Sequence, residues 1–110
     1  MIVRIWRGFA EGDNAHAYHR HVTGSVFPGL KAIPGHLGAY LLRRDNAGRV
    51  EFLAVTHWES IDAIKRFAGD NPSVAVVEPE ARTVLVEFED FVSIYEVAYG
   101  PEAAAAIGSD

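Results

Sequence analysis

The sequence predicts an α+β fold, and two observations carry the prediction. Four runs rich in β-branched and aromatic residues are typical of strands, and the segments between them place apolar residues at helical spacing. Turn-forming pairs such as Pro34-Gly35 separate these segments. The resulting order is strand, helix, strand, strand, helix, short helix, strand. This is the ferredoxin-like βαββαβ plan, in which both helices cover one face of a four-stranded antiparallel sheet.

The first half of the chain supplies one strand and one long helix. Ile2 to Phe9 is rich in Ile, Val, Trp and Phe, which predicts the first strand. A helix is expected from Ala15 onward, and Pro28 should kink or restart it because proline has no backbone donor. The apolar residues at helical spacing are Tyr18, Val22, Val26 and Leu30.

A hairpin and a short helix follow. Leu37 to Arg44 and Val50 to Trp58 are predicted strands, and the Asn and Gly residues between them suit a hairpin loop. Ser60 is placed to cap a short helix, and Gly69 sits where that helix would end.

The last part of the predicted domain contains another short helix and the fourth strand. Pro79 suits a first helical turn, and Asp90 to Ala98 is the predicted strand. We therefore place the domain at residues 1–98 and an Ala-rich tail at 99–110. The residues at helical spacing after Pro79 are Ala81, Val84, Leu85 and Phe88.

Both faces of the predicted sheet carry apolar side chains. On the third strand Phe52 and Trp58 point one way, whereas Leu53 and Val55 point the other. Two helices can cover only one face, and the other would be an apolar patch too large for a monomer. We therefore expect a homodimer packed sheet against sheet. The alternative is that the C-terminal tail folds back over that face.

Composition excludes several classes of protein. The net charge of −5 argues against nucleic-acid and anionic-membrane partners, which need clustered positive charge. The absence of cysteine excludes disulfides and thiolate metal sites, and it fits a cytoplasmic location. No apolar run reaches the ~20 residues of a membrane span. Because no Gly-rich phosphate loop occurs either, no nucleotide cofactor is expected.

Several short motifs resemble the antibiotic biosynthesis monooxygenase-like family of dimeric α/β barrels. They are Ile33-Pro34-Gly35 leading into Gly38 to Arg44, Trp58-Glu59-Ser60 before a short helix, and the closing Tyr95-Glu96-Val97. The resemblance covers about residues 2–98, and it implies a subunit that pairs into a barrel with a pocket between sheet and helices. Some members oxygenate anthrone-type polyketides or quinols without metal or flavin, others degrade haem, and the fold alone does not select a chemistry.

The chain departs from the residue patterns of two groups of family members. In haem-degrading members an Asn on the first strand, the Trp and a His on the second helix act together. Here Trp58 is present, but the first strand has no Asn and residues 61–68 contain no His, which argues against haem degradation. The polyketide oxygenases carry an Asn four residues before the Trp, where this chain has Ala54.

His21 and Trp58 are the candidate catalytic residues. His21 lies one helical turn from Tyr18, where it could act as a general base that deprotonates a phenol. Alternatively it is a hydrogen-bonded histidine at the edge of the core. The indole of Trp58 could stack on a planar ligand and donate a hydrogen bond, or it could be a core side chain that closes the sheet.

Arg4 is the candidate for binding an anionic or enolate oxygen. Alternatively it pairs with Glu51 or Glu96 on a neighbouring strand. His16 and His19 have helical ligand spacing but lack supporting carboxylates, so no metal site is expected. The further candidates for substrate binding are Trp6, Tyr18, Tyr40 and Tyr95.

Two functions are therefore expected. The first is a cofactor-independent monooxygenase for a small phenol, anthrone or quinol, in which the substrate anion gives an electron to oxygen. The alternative is a non-catalytic homodimer that binds a small apolar ligand or serves a stress-related role. Two or more polar groups converging in the pocket would favour the enzyme, whereas a narrow, apolar pocket would favour the alternative.

Overall fold

The computed structural model describes residues 1–101. Within them, no helix is long and apolar enough to cross a membrane. The predicted tail lies outside the described residues from position 102 onward. The strands are β1 Ile2–Glu11, β2 His36–Asn46, β3 Arg49–Trp58, β4 Glu87–Phe88 and β5 Ser93–Glu96. The α-helices are α1 Asp13–His21, α2 Phe27–Leu30, α3 Ile61–Ala68 and α4 Pro79–Val84, with a π-helical turn at Val22–Val26.

The sheet confirms the predicted ferredoxin-like plan. Its order is β2-β3-β1-β4, every pairing is antiparallel, and β5 also pairs with β1. Arg4 lies opposite Thr56, and Trp6 lies opposite Ala54. Helices α1 and α2 lie between β1 and β2 in the chain, and α3 and α4 lie between β3 and β4. The α+β fold is thus the one that the order of elements predicts.

The fourth strand is interrupted, and the predicted boundaries around it were wrong. Helix α4 ends at Val84, so Phe88 belongs to a strand rather than to the helix. The chain then leaves β1 because residues 90–92 pair with residues 73–75. The amide of Ala75 donates to the carbonyl of Asp90 at 2.9 Å, and the amide of Val92 donates to the carbonyl of Ser73 at 2.8 Å.

The first helix is interrupted and restarts beside Pro28, as expected. The π-helical turn at Val22–Val26 joins α1 to α2, and the amide of Phe27 donates to the carbonyl of Val22, five residues back. Pro28 lies in the first turn of α2, where a missing N–H is tolerated. Tyr18, Val22 and Leu30 are buried, as their helical spacing predicts.

The helices cover the inner face of the sheet, which holds the core. Trp58 is completely buried, and its Nε1 donates a hydrogen bond to Thr56 Oγ1 at 2.8 Å. Its ring stacks on Phe67, with the ring centres 6.0 Å apart. Farther along the same face, Trp6 folds over Gly8, where an added Cβ would lie only 2.6 Å from the indole. Glycine is therefore required at that position.

The described helices leave the outer face of the sheet uncovered. Tyr40, Leu42 and Tyr95 project from it and are 61%, 49% and 58% exposed. Val55 is half-buried between them, and Tyr40 packs edge-on against His57, with the ring centres 5.7 Å apart. The sheet is therefore apolar on both faces, as the strands predict.

Trp58→Phe tests the contribution of the buried indole to stability. The substitution removes the donor to Thr56 and leaves a cavity beside Phe67, so the free energy of unfolding should fall by about 1–3 kcal/mol. Urea denaturation followed by circular dichroism measures it. Tyr99→Phe, at an exposed position, should change the value by less than about 0.5 kcal/mol. Equal effects would contradict the core role of Trp58.

His36 makes stability depend on pH. Burial lowers its pKa below the ordinary value of 6.5, and the charge of His57 lowers the pKa further. Because the unfolded chain then binds this proton more readily than the folded protein, acidification below pH 6.5 favours unfolding. The melting temperature should fall on acidification from neutral pH, and it should fall less in His36→Gln. His16→Gln, at an exposed site, should behave like the unmodified protein, and an equal fall in all three would contradict this assignment.

Candidate functional site

A cavity of about 50 Å³ lies between the inner face of the sheet and the helices. Strands β1 and β3 form its floor, the first helix and α3 form its sides, and residues 76–78 close it. We call residues 71–78 the strap. The strap is held by its pairing with residues 90–92 and by hydrogen bonds from Arg4. The site is thus assembled from segments that are distant in the chain.

Arg4 places a positive charge inside this cavity. Its side chain comes from the middle of β1, and the residue is 5% exposed. Nε donates to the carbonyl of Pro72 at 3.2 Å, and Nη2 donates to the carbonyl of Val74 at 2.6 Å. The guanidinium lies over the ring of Phe67, 5.4 Å from its centre. Two backbone carbonyls and one aromatic face therefore hold the group in place.

No carboxylate within residues 1–101 forms an ion pair with Arg4. Glu51, one of the two predicted partners, lies on the outer face and binds Arg7 and Arg44 instead; Arg7 Nε is 2.8 Å from Glu51 Oε2. Glu96, the other, is exposed and forms no ion pair with Arg4. Burial lowers the pKa of Arg4 to about 10, so the group stays charged at neutral pH. An anion in the cavity would compensate this charge.

His21 brings a second polar group to the cavity. It is the last residue of α1, and the π-helical turn begins at the next residue. Its Nε2 is buried, and no atom of the described residues forms a hydrogen bond with it. π-helical turns occur often at functional sites. A buried imidazole nitrogen without a partner can accept a proton from a bound molecule.

Trp6 and Tyr18, two of the candidates for substrate binding, line the cavity. Trp6 Nε1 donates to the carbonyl of Glu89 at 2.8 Å, so a ligand would meet only the face or edge of its ring. Burial raises the pKa of Tyr18 well above its ordinary value of 10.0. Tyr18 therefore stays protonated, and its hydroxyl can donate a hydrogen bond but cannot act as a base at neutral pH.

Trp58 lies behind the cavity wall rather than in it. Thr56 and Phe67, which it contacts, are the residues that line the cavity. Direct stacking of a ligand on Trp58 therefore does not fit this structure. The indole instead orients Thr56 and supports Phe67.

Tyr40 and Tyr95 are not brought to the cavity either. Tyr40 pairs with Val55 and Tyr95 pairs with Val3, and both side chains project from the outer face. The expectation that they contact a ligand in the pocket therefore does not fit their position. Side chains alternate between the two faces of a strand, and these two belong to the face opposite Arg4 and Trp6.

Thr56, Phe67 and Glu78 are among the lining residues that were not singled out from the sequence. Thr56 shares the alternation of Ala54 and Trp58 on β3, so parity could have placed it on the inner face. Phe67 follows Ala63 and Ile64 at helical spacing on α3. Glu78 belongs to the strap, and no local pattern indicates that the strap closes a cavity.

Comparisons with known proteins agree with this architecture. The family model described as antibiotic biosynthesis monooxygenase matches residues 1–79. No curated protein matches the chain.

Three solved structures show the same fold. A monooxygenase from the gene ActVA-Orf6 of Streptomyces coelicolor, in complex with nanaomycin D, is 19% identical with a TM-score of 0.64, covering 91% of each chain. The N63A mutant of SnoaB, a cofactor-independent oxygenase from Streptomyces nogalater, is 18% identical with a TM-score of 0.60, covering 91% of this chain and 95% of that one. The heme-degrader MhuD from Mycobacterium tuberculosis, with two hemes bound in its active site, is 23% identical with a TM-score of 0.58, covering 91% and 98%.

At these identities the solved structures show the fold alone, whereas the family model spans most of the chain. The chain therefore belongs to the antibiotic biosynthesis monooxygenase family.

Proposed function

We propose that this protein is a cofactor-independent monooxygenase whose substrate is a small aromatic molecule with an ionisable hydroxyl group: a phenol, an anthrone or a quinol. The observation that carries the proposal is the buried charge of Arg4, which has no carboxylate partner among the described residues. His21, with its unpartnered Nε2, lines the same cavity. Together they supply a base for a hydroxyl proton and a cation for the resulting oxyanion.

The proposed reaction begins with proton transfer. His21 accepts the proton of the substrate hydroxyl or enol, and Arg4 stabilises the oxyanion as it forms. The electron-rich anion then reduces dioxygen, so the substrate itself supplies the electrons. For an anthrone, the ring methylene loses two hydrogen atoms and gains one oxygen atom, and the second oxygen atom leaves as water.

The family and its members support a reaction of this type. SnoaB is named a cofactor-independent oxygenase, and the ActVA-Orf6 monooxygenase is described in complex with the ligand nanaomycin D. Haem degradation, the activity named for MhuD, is not proposed. Strand β1 has no Asn and α3 has no His at the positions that the family resemblance assigns to that activity.

The size of the cavity sets a condition on the substrate. Ligand pockets usually enclose about 300–1,000 Å³, several times the volume present here. Binding therefore requires residues 76–78 to move outward, and Val76 and Glu78 are already exposed. A narrow cavity also suits the non-catalytic alternative, but the presence of the polar side chains of Arg4, His21 and Thr56 in its lining favours the enzyme.

The proposed functional unit is a homodimer formed by the outer faces of two sheets. A second copy would cover Tyr40, Leu42 and Tyr95, which are exposed in the single chain. Arg7, Glu51 and Arg44 form a charged group on the same face, where polar residues at the rim of an interface are expected. The pairing would close the two sheets into the barrel typical of this family.

A cytoplasmic protein is proposed because a chain without cysteine suits a reducing compartment. The functional domain is proposed to be residues 1–98, which contain every residue assigned to the cavity.

Oxygen uptake by the purified protein tests the reaction. With a panel of anthrones and quinols, uptake should exceed the enzyme-free rate for at least one substrate. His21→Ala should lower that rate by about 10²-fold because the base is lost. Arg4→Gln should lower it by about 10²- to 10³-fold because the oxyanion loses its cation.

The matched control is His19→Ala, an exposed histidine on the same helix, which should keep the full rate. Circular dichroism of each variant shows whether it is folded. An unchanged rate in folded His21→Ala would remove His21 from the mechanism. No uptake above background with any substrate of the panel would contradict the oxygenase and favour the ligand-binding alternative.

Sedimentation velocity tests the dimer. The unmodified chain should sediment at twice its mass of 12.0 kDa. Leu42→Glu places a charge on the apolar outer face and should produce monomers. Tyr99→Glu, which changes an exposed aromatic residue outside the strands, should remain dimeric. A monomeric unmodified protein would contradict the proposal.

A further inference from the structure

Three side chains with metal-binding atoms converge where the strap meets the first helix. They are His21 at the end of α1, Glu78 in the strap and Glu80 in α4. One imidazole nitrogen and one oxygen from each carboxylate all lie within 4.8 Å of one another. We propose that these residues form a binding site for a divalent transition-metal cation of the Zn²⁺ type.

The donor set matches the chemistry of such a cation. Histidine nitrogen and glutamate oxygen bind Zn²⁺ at about 2.0–2.2 Å, and three protein ligands leave a fourth position open for water or another ligand. In a tetrahedral site with these metal–ligand distances, the donor atoms are about 3.3 Å from one another. Glu78 and Glu80 are exposed, so rotation of their side chains can bring the carboxylates to this separation.

The electrostatics of the cluster also favour a cation. Neither Glu78 nor Glu80 forms an ion pair with a residue of the described chain. Two neighbouring carboxylates repel each other, and His21 Nε2 is buried without a hydrogen-bond partner among residues 1–101. A divalent cation would neutralise the two negative charges and satisfy the imidazole.

The position of the site gives it a consequence beyond binding. His21 and Glu78 both line the cavity, and they belong to different segments that border it. A cation bound by both would tie the strap to α1, and it would occupy the imidazole lone pair. This second consequence rests on the proposed function: the cation would inhibit the oxygenase by preventing His21 from accepting a proton.

Isothermal titration with Zn²⁺ tests the site, using protein purified without a histidine tag. We expect one cation per chain, with affinity falling as the solution is acidified because protons compete for the imidazole. Glu78→Gln/Glu80→Gln should weaken binding at least about 100-fold, since losing even an outer hydrogen-bond partner costs a metal site about 10- to 100-fold. Both positions are exposed, so this variant keeps the fold, and His21→Gln should give the same loss.

The control is His16→Ala/His19→Ala, which removes the two exposed histidines of the same helix and should bind Zn²⁺ as the unmodified protein does. Absence of Zn²⁺ binding, or equal binding by all four proteins, would overturn the proposal. The titration needs no substrate, so it stands apart from the oxygenase assay. Binding without any oxygenase activity would keep the site and remove only the inhibitory consequence.

Discussion

The site depends on the buried Arg4, whose charge is not paired with a carboxylate among residues 1–101. Burying an ion is costly unless other groups compensate it. Here two carbonyl groups of the strap and the ring of Phe67 compensate Arg4 only in part. The same contacts fix the strap against the sheet and so create the cavity. An anionic ligand would complete the compensation, which links the stability of this region to the chemistry proposed for it.

Because side chains alternate along each strand, the two faces of the sheet have different roles. The inner face of β1 presents Arg4 and Trp6 to the helices and the cavity, whereas the outer face presents Val3 and Ile5 to the surface. Shifting the register of β1 by one residue would exchange the two sets of side chains. A pocket on one side and an apolar surface on the other are therefore consequences of the same register.

The sequence was sufficient for features that depend on local pattern, and it was insufficient for features that depend on distant pairing. Strand parity predicts that Arg4 and Trp6 share one face of β1, and both are buried. It likewise predicts that Phe52 and Trp58 share one face of β3, and both are buried there. Whether Trp58 reaches the cavity depends on how α3 places Phe67, which no local pattern encodes. The interrupted fourth strand depends likewise on pairing with residues 73–75. Strand propensity carries no information about such partners.

The cavity is proposed to bind its ligand as an anion that Arg4 stabilises. The direct measurement is a spectrophotometric pH titration of 4-nitrophenol, whose anion absorbs visible light, with and without excess protein. Bound nitrophenol should ionise at lower pH than free nitrophenol, and Arg4→Gln should abolish this difference while remaining folded. An unchanged or higher ionisation pH on binding, or the same downward shift in Arg4→Gln, would contradict the account.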